Sequence, residues 1–390
     1  MVDVPGLEGC RLAGKPRKVG AVSVEGMARR CRVAGVFLTA RRNLAVCCAS
    51  MVLILASSGG SSASAAPAGW SRPQAVVGNY RLFRLSCTTS RYCVGLGVAA
   101  TGSTPETVVW NGKTWGKPFQ APSNSPVALQ LLSCGSAGFC VASDGSTAWE
   151  WNGRSWSKSV PVIADGHGAP GEQLVGLACS AGGVCVAVDG QRKTFALRSG
   201  HWTATGSLAV LPPGASTASE SIGAGGISCG SPTSCMIVDG EGFAYHWNGK
   251  SWKTPLDVLP PGNGFVSCPT AGWCMAMNAQ SYEVAWSASG WGASPTFVDP
   301  RSMQLSQHSG RRGVVRWGQG DFGVLALSCG SASLCAAIDD AGYAVTYRSG
   351  RWSLPADIGP ALDNVDTVTC SGSQACFAVS EGNVASANYS

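Results

Sequence analysis

Residues 130–157 read QLLSCGSAGFCVASDGSTAWEWNGRSWS. Gln130 to Cys134 is a short apolar strand, and Gly135 to Phe139 make a turn. Cys140 to Ser143 form a second strand, stopped by Asp144-Gly145. Thr147 to Trp151 alternate as a third, and a fourth begins at Ser155-Trp156-Ser157. Period-two alternation broken by Gly, Asn and Asp is the pattern of strands and turns. Asn152-Gly153 is expected to be a tight hairpin turn, since both residue types tolerate positive φ.

The same grammar recurs along the chain. Fourteen cysteines form seven pairs with five residues between partners. Cys87 goes with Cys93, Cys134 with Cys140, Cys179 with Cys185, and Cys229 with Cys235. Cys268 goes with Cys274, Cys329 with Cys335, and Cys370 with Cys376. First cysteines are 47, 45, 50, 39, 61 and 41 residues apart. Self-similarity at 40–50 residues marks a propeller or a solenoid, and four strands per unit is the content of a propeller blade. The last hairpin returns as Trp110-Asn111-Gly112-Lys113-Thr114-Trp115 and Trp247-Asn248-Gly249-Lys250-Ser251-Trp252, with degenerate copies ending at Trp202, Trp291 and Trp352. The seventh unit stops after its third strand, whereas Gly69-Trp70-Ser71-Arg72-Pro73 matches the unit-six hairpin at residues 350–355. The expected fold is therefore an all-β, seven-bladed β-propeller with four-stranded blades, in which residues 70–76 close the last blade beside residues 383–388. A solenoid would need capping repeats, and none is visible.

The unit Leu-Ser-Cys-x5-Cys-x-Ala-x-Asp followed by Trp-Asn-Gly-x-x-Trp resembles a family of secreted repeat proteins from actinobacteria. The resemblance covers nearly all of residues 69–390 and implies a propeller fold and export, with no defined activity. Units five and six depart from it, with a long insertion between them.

The chain divides at about residue 65. Residues 1–65 are expected to be a leader and 66–390 the propeller. Arg41-Arg42, an apolar stretch from Leu44 to Ala56, and Ala63-Ser64-Ala65 read as a secretory signal with its cleavage site. Membrane anchoring through an uncleaved segment at 44–58 is the alternative, and Met27 rivals Met1 as the start. The leader holds the whole net charge of +6, because residues 66–390 contain 19 basic and 19 acidic side chains. A neutral body offers no basic face, so nucleic acid is excluded as a partner. After cleavage no stable membrane span is expected, and the expected state is a monomer, secreted or wall-associated.

An exported chain with an even, repeated set of cysteines reads as disulfide-bonded. Zinc pairs are spaced more closely, so no metal and no cofactor is expected. The repeated Trp positions read as contacts between blades rather than sugar platforms. Topology places the Cx5C and Trp-Asn-Gly turns on one face, and the Asp-Gly turns and blade connections on the other. Three unrepeated segments, 157–173, 203–225 and 296–323, are expected as loops of that second face, where function usually resides. The longest carries Arg301, His308, Arg311, Arg312, Arg316 and Trp317, candidates for an anionic glycan or protein ligand. Asp144, Asp189, Asp239 and Asp339 share this face. Turn chemistry accounts for them, and a carboxylate ring holding a cation is the competing use. No catalytic residue is assigned. A propeller glycosidase or lyase of the sialidase type is the rival class, with Phe83-Arg84-Leu85-Ser86 as an imperfect match to that motif; it needs two carboxylates flanking the bond.

Overall fold

A computed structural model describes residues 69–389 except 77–79, 100–101, 103, 123–128, 164–170, 210–221, 223–225, 299–322, 340–341, 359–364 and 381. The leader, its four cysteines, and the candidates Arg301, His308, Arg311, Arg312, Arg316 and Trp317 lie outside the described residues. Seven antiparallel sheets form a closed seven-bladed propeller, with no helix among the described residues. The first strands of the blades, Tyr80–Thr89, Leu131–Ser136, Leu174–Cys179, Ile227–Ser231, Gly264–Thr270, Val324–Ser331 and Thr367–Ser371, stand side by side around a central channel. Later strands follow outward in chain order.

The seventh blade is made from both ends of the chain. Its outer strand is Gln74–Ala75, paired with Asn383–Asn388 through Gln74↔Val384 and Ala75↔Asn383. A bridge joins Trp70 to Ala387. The expected closure is what the structure shows.

All seven expected disulfides are present, each within its own blade. Cys87 is bonded to Cys93, Cys134 to Cys140, Cys179 to Cys185, and Cys229 to Cys235. Cys268 is bonded to Cys274, Cys329 to Cys335, and Cys370 to Cys376. Partners sit on the first two strands, directly opposite each other where the ladder is regular, as in Cys134↔Cys140 and Cys370↔Cys376. The second cysteine of each pair is fully buried: Cys93, Cys140, Cys185, Cys235, Cys274, Cys335 and Cys376. These seven are therefore part of the apolar core, and none is a candidate for ligand contact. Closing so short a loop stabilises each hairpin by about 2 kcal/mol in the chain-entropy model.

The second strands are buried almost throughout, as in Ser234–Val238 and Ala375–Ser380. Each has a neighbouring blade on both sides, so Cys-Met-Ile-Val is apolar at every position instead of alternating. Apolar layers fill the junctions between blades: Val141 packs with Leu177 and Phe195, and Trp70 with Leu334 and Val368. The tryptophans serve these junctions. Trp110 meets Trp115 at 5.4 Å and Phe377 of blade 7 at 6.2 Å. Trp151 Nε1 donates to Tyr92 Oη of blade 1 at 2.8 Å.

The Ser of Leu-Ser-Cys has a role the motif did not disclose. Its hydroxyl accepts a hydrogen bond from the backbone N–H of the first cysteine in the next blade. Ser86 accepts from Cys134 at 3.0 Å, Ser133 from Cys179 at 2.9 Å, Ser228 from Cys268 at 2.9 Å, Ser267 from Cys329 at 2.8 Å and Ser328 from Cys370 at 2.9 Å. Thr369 closes the circle on Cys87 at 3.1 Å. At the junction of blades 3 and 4 the position is Ala178, and the hydroxyl is missing. A net hydrogen bond contributes about 1 kcal/mol. Ser133→Ala is expected to cost that much, and Ala178→Ser to gain a similar amount, in denaturant midpoints of the oxidised protein. Equal midpoints for all three proteins would show that the ring of hydroxyls is energetically silent.

Two expectations need correction. In the Asn-Gly hairpins only the glycine takes positive φ. Four residues separate the bridged tryptophans, as in Trp151↔Trp156. Asn152 Oδ1 accepts from the N–H groups of Arg154 and Ser155 at 2.9 Å each, and positive φ falls on Gly153 (91°) and not on Asn152. The Asn side chain closes an Asx turn instead of entering the left-handed region. The two-residue turn occurs where Asn is absent, at Ser199-Gly200 (φ 50° and 77°) and Ser349-Gly350 (50° and 85°). The second correction concerns the expected loops: residues 203–207 are part of the outer strand His201–Ser207, and Val160–Pro161 and Thr296–Phe297 are outer strands too. Most other outer strands are two residues long beside a proline, whereas His201–Ser207 contains Thr and no Pro.

Candidate functional site

The turn between second and third strands is built the same way in successive blades, on the face opposite the disulfides. Asp144 Oδ1 accepts from the N–H groups of Ser146 and Thr147 at 3.0 and 2.8 Å. Asp189 Oδ1 accepts from Gln191 and Lys193 at 2.9 and 2.8 Å. Asp239 Oδ1 accepts from Glu241 and Phe243 at 3.1 and 2.9 Å, and Asp339 Oδ1 from Tyr343 at 2.8 Å. Blade 5 uses Asn278, whose Oδ1 accepts from Tyr282 at 2.9 Å while its Nδ2 donates to the Pro260 carbonyl at 2.9 Å. Asp189, Asp239 and Asp339 are buried, and none of the four aspartates lines the channel. The structure puts them at one repeat position on one face without bringing them together. No metal-ligating cluster exists among the described residues. Burial raises the Asp189 carboxyl above its ordinary range, against the pull of the backbone N–H groups of Lys193 and Gln191.

Asp239 does more than close its turn. Its Oδ2 forms an ion pair with Arg192 Nη1 of blade 3 at 3.3 Å and accepts from Tyr245 Oη at 3.0 Å. Arg192 Nη2 also donates to Tyr245 Oη, with the guanidinium 5.1 Å from the ring centre. Burial and the Asp239 charge push the Tyr245 phenol up, so it stays protonated and donates. The network crosses the junction of blades 3 and 4, the same one that lacks a Ser hydroxyl on the opposite face.

The channel encloses about 500 Å³ and is lined by the seven inner strands. The Ser and first Cys of each Leu-Ser-Cys motif are among its lining residues, together with apolar residues of the same strands. Arg84 and Asp366 are the charged side chains of this lining, on adjacent blades 1 and 7. Arg84 Nε donates to the Gln130 carbonyl at 2.7 Å and Nη1 to the Phe83 carbonyl at 2.8 Å. Burial lowers the Arg84 guanidinium pKa, and the Asp366 carboxylate opposes that shift. Arg84 was legible only as a poor match to a sialidase motif; the signal that places it was its position in a first strand, three residues before the cysteine. At the stapled end the inner strands touch. A Cβ on Gly135 would lie 2.0 Å from the Ser180 carbonyl oxygen, and one on Gly230 2.1 Å from that of Thr270. Glycine is required there by close approach of backbones.

The described residues on either side of 299–322 lie at the blade 5 turn. Val298 N–H donates to the Ser281 carbonyl at 2.9 Å, and Val324 N–H to the Ala279 carbonyl at 3.0 Å. Both ends of the insertion thus attach to the blade 5 turn. Trp273, which has no counterpart in the other units, is half-buried and stacks at 6.4 Å on Tyr347. Among the described residues one serine–histidine contact is present, Ser234 Oγ to His246 Nε2 at 3.2 Å. It sits between blades 4 and 5, where Ser234 is 7% exposed and its hydroxyl also reaches the Ala271 carbonyl. Burial and Lys253 hold the imidazole below its ordinary range.

No protein-family model matches the chain, and no curated protein matches it in sequence. Among solved structures the chain is similar to propellers. A streptogramin B lyase aligns with a TM-score of 0.58 at 9% identity, over 83% of this chain and 99% of that one. YCF48 bound to a D1 peptide aligns at 0.55 and 13% identity, over 83% and 96%. U3-55K aligns at 0.55 and 10% identity, over 81% and 100%. At these identities the likeness is one of fold. The class is thereby defined as a seven-bladed propeller of disulfide-stapled repeats.

Proposed function

We propose that the chain is an exported, oxidised β-propeller that binds an extracellular or envelope ligand, glycan or protein, without transforming it. The observation that carries this reading is the division of labour among residues. Repeated side chains are committed to structure: cysteines to staples, tryptophans to blade junctions, aspartates to turns, serines to the inner ring. The unrepeated insertion rooted at Ala279 and Ser281 holds Arg301, Arg311 and Arg312. Arginine suits an anionic ligand, because its fork holds a carboxylate or phosphate through two hydrogen bonds. Supporting export, seven disulfides need an oxidising compartment, and residues 41–65 have the form of a signal. No helix among the described residues is long and apolar enough to cross a membrane. Supporting binding over hydrolysis, the described channel lining holds one carboxylate, Asp366, where glycoside hydrolysis uses two. Among the propellers of like fold, one was solved with a bound peptide and one is a lyase.

The test is a screen of the oxidised protein against neutral, carboxylated and phosphorylated glycans. Micromolar binding to anionic members is expected, on the order of −8 kcal/mol. Replacing Arg301, Arg311 and Arg312 together by Ala should weaken it at least tenfold, and added salt should weaken it too. Unchanged affinity in the triple variant would remove the insertion from the site. Turnover of a bound glycan would make the protein an enzyme.

A further inference from the structure

Seven internal copies of one blade allow each outer edge to be compared with six others. In six blades the edge is blunted. Proline directly precedes a two-residue outer strand at Pro73, Pro118, Pro255, Pro295 and Pro355, and Pro161 lies within the outer strand of blade 2. Short edges and prolines are the ordinary protection against pairing with another chain. Blade 3 has neither. Its outer strand His201–Ser207 runs seven residues without proline, Lys, Arg or carboxylate, and five of the seven are exposed. It pairs with the third strand regularly from Arg198↔His201 to Phe195↔Ala204, and a bulge at Thr205 precedes Thr194↔Gly206. Alternation in an antiparallel ladder turns the backbone groups of Trp202 and Ala204 to the outside.

We infer that this edge is a docking site for an extended peptide segment of a protein partner, added as a fifth strand to blade 3. Backbone hydrogen bonds supply such affinity, and side chains at alternate positions supply selectivity. Two seven-residue strands bury far less than the roughly 1,200 Å² of a stable association between folded proteins, which favours a peptide over a second copy of the chain. The charge nearby favours an acidic one. Residues 190–219 contain Arg192, Lys193, Arg198 and His201 and no acid. Arg192 is paired with Asp239 and Lys193 with Glu172. Arg198 donates to the Gly249 carbonyl at 2.6 Å and keeps its charge beside the edge. One carboxylate, Glu150 of blade 2, comes near the turn at Gly200, and it is outnumbered by Arg198 and the exposed Lys250, which follows the Gly249 that Arg198 reaches. The edge shares no residue with the Arg-rich insertion, so the inference stands or falls apart from the proposed ligand.

The probe is an acetylated, amidated heptapeptide that alternates threonine and valine between two terminal glutamates. Fluorescence anisotropy should show micromolar binding that weakens when lysines replace the glutamates. Ala204→Pro should weaken it at least tenfold without moving the thermal transition, since the Ala204 N–H faces outward and serves no bond within the blade. Amide exchange gives a second measurement on the unaltered protein: the peptide should slow exchange at Trp202 and Ala204. The triple Arg→Ala variant of the insertion should bind the peptide as the parent does. No slowing at Trp202 and Ala204, or equal binding by the Ala204→Pro variant, would overturn the inference. Concentration-dependent dimers that Ala204→Pro abolishes would also overturn it, by making a second copy the occupant.

Discussion

Deleting the residues that precede 77 is expected to leave blade 7 without its outer strand and the protein without a cooperative thermal transition. The segment carries three kinds of contact. Trp70 is 3% exposed and packs against Leu334, Ile338, Val368 and Ala387, joining blades 6 and 7. Val76 is fully buried with Tyr80, Leu82, Val379 and Val384, at the junction of blades 7 and 1. Between them the backbone pairs with Asn383–Asn388, and Ser71 N–H donates to the Ser386 carbonyl. Removing a buried Trp side chain alone costs about 3–5 kcal/mol. Losing Val76 and the strand pairing besides brings the total within reach of the roughly 5–15 kcal/mol that holds a typical domain folded. The strand at Asn383–Asn388 would become an unprotected edge, which invites aggregation. Calorimetry and light scattering on the truncated, oxidised protein are the measurements. A truncated protein as soluble and heat-stable as the parent would show that closure by this segment contributes nothing.

That closure was readable because it needed only counting: a hairpin missing at one end and a matching half-hairpin at the other. Blade number, disulfide partners and the packing role of Trp110, Trp151 and Trp247 were legible for the same reason, since a repeated residue answers a repeated need. Three things were not. The hydroxyl of Ser133 was quoted in the motif, yet its acceptor role depends on how closely neighbouring inner strands approach. That distance follows from the ring and not from one unit. The turn at Asn152 was misread because Asn-Gly has two ways to turn a chain, and spacing to the next Trp decides between them. The outer strand of blade 3 reads as loop in the sequence because the other units place a proline shortly after the Trp. Its real signal was the missing proline after Trp202. As for the site, Asp144, Asp189, Asp239 and Asp339 were placed on the right face, but their partners were invisible. Arg192 and Tyr245 lie 47 and 6 residues from Asp239, and no periodicity links them.

Asp239→Ala is the second change expected to have a large effect. It removes the acceptor of the Glu241 and Phe243 N–H groups. It also leaves the Arg192 guanidinium, whose side chain is 13% exposed, without its ion-pair partner. Breaking a buried pair by removing one member costs about 3–5 kcal/mol, most of it the uncompensated charge. Asp144→Ala deletes the same turn bonds at a half-buried site, where a loss of about 1–2 kcal/mol is expected. The difference between the two variants in denaturant midpoint isolates the contribution of the network that crosses from blade 3 to blade 4. Blade 5 shows how a turn is closed without charge, since Asn278 accepts from Tyr282 and donates to Pro260. The double variant Arg192→Met/Asp239→Asn imitates that solution, keeping a turn acceptor and removing both charges, and it should recover most of the stability lost in Asp239→Ala. Recovery would show that the pair matters at this junction as a mutual obligation between buried charges and adds little beyond it. If Asp239→Ala instead costs no more than Asp144→Ala, the ion pair contributes nothing, and the junction lacking a Ser hydroxyl must be held by the apolar layer of Val186, Leu208, Ile237 and Trp247 alone.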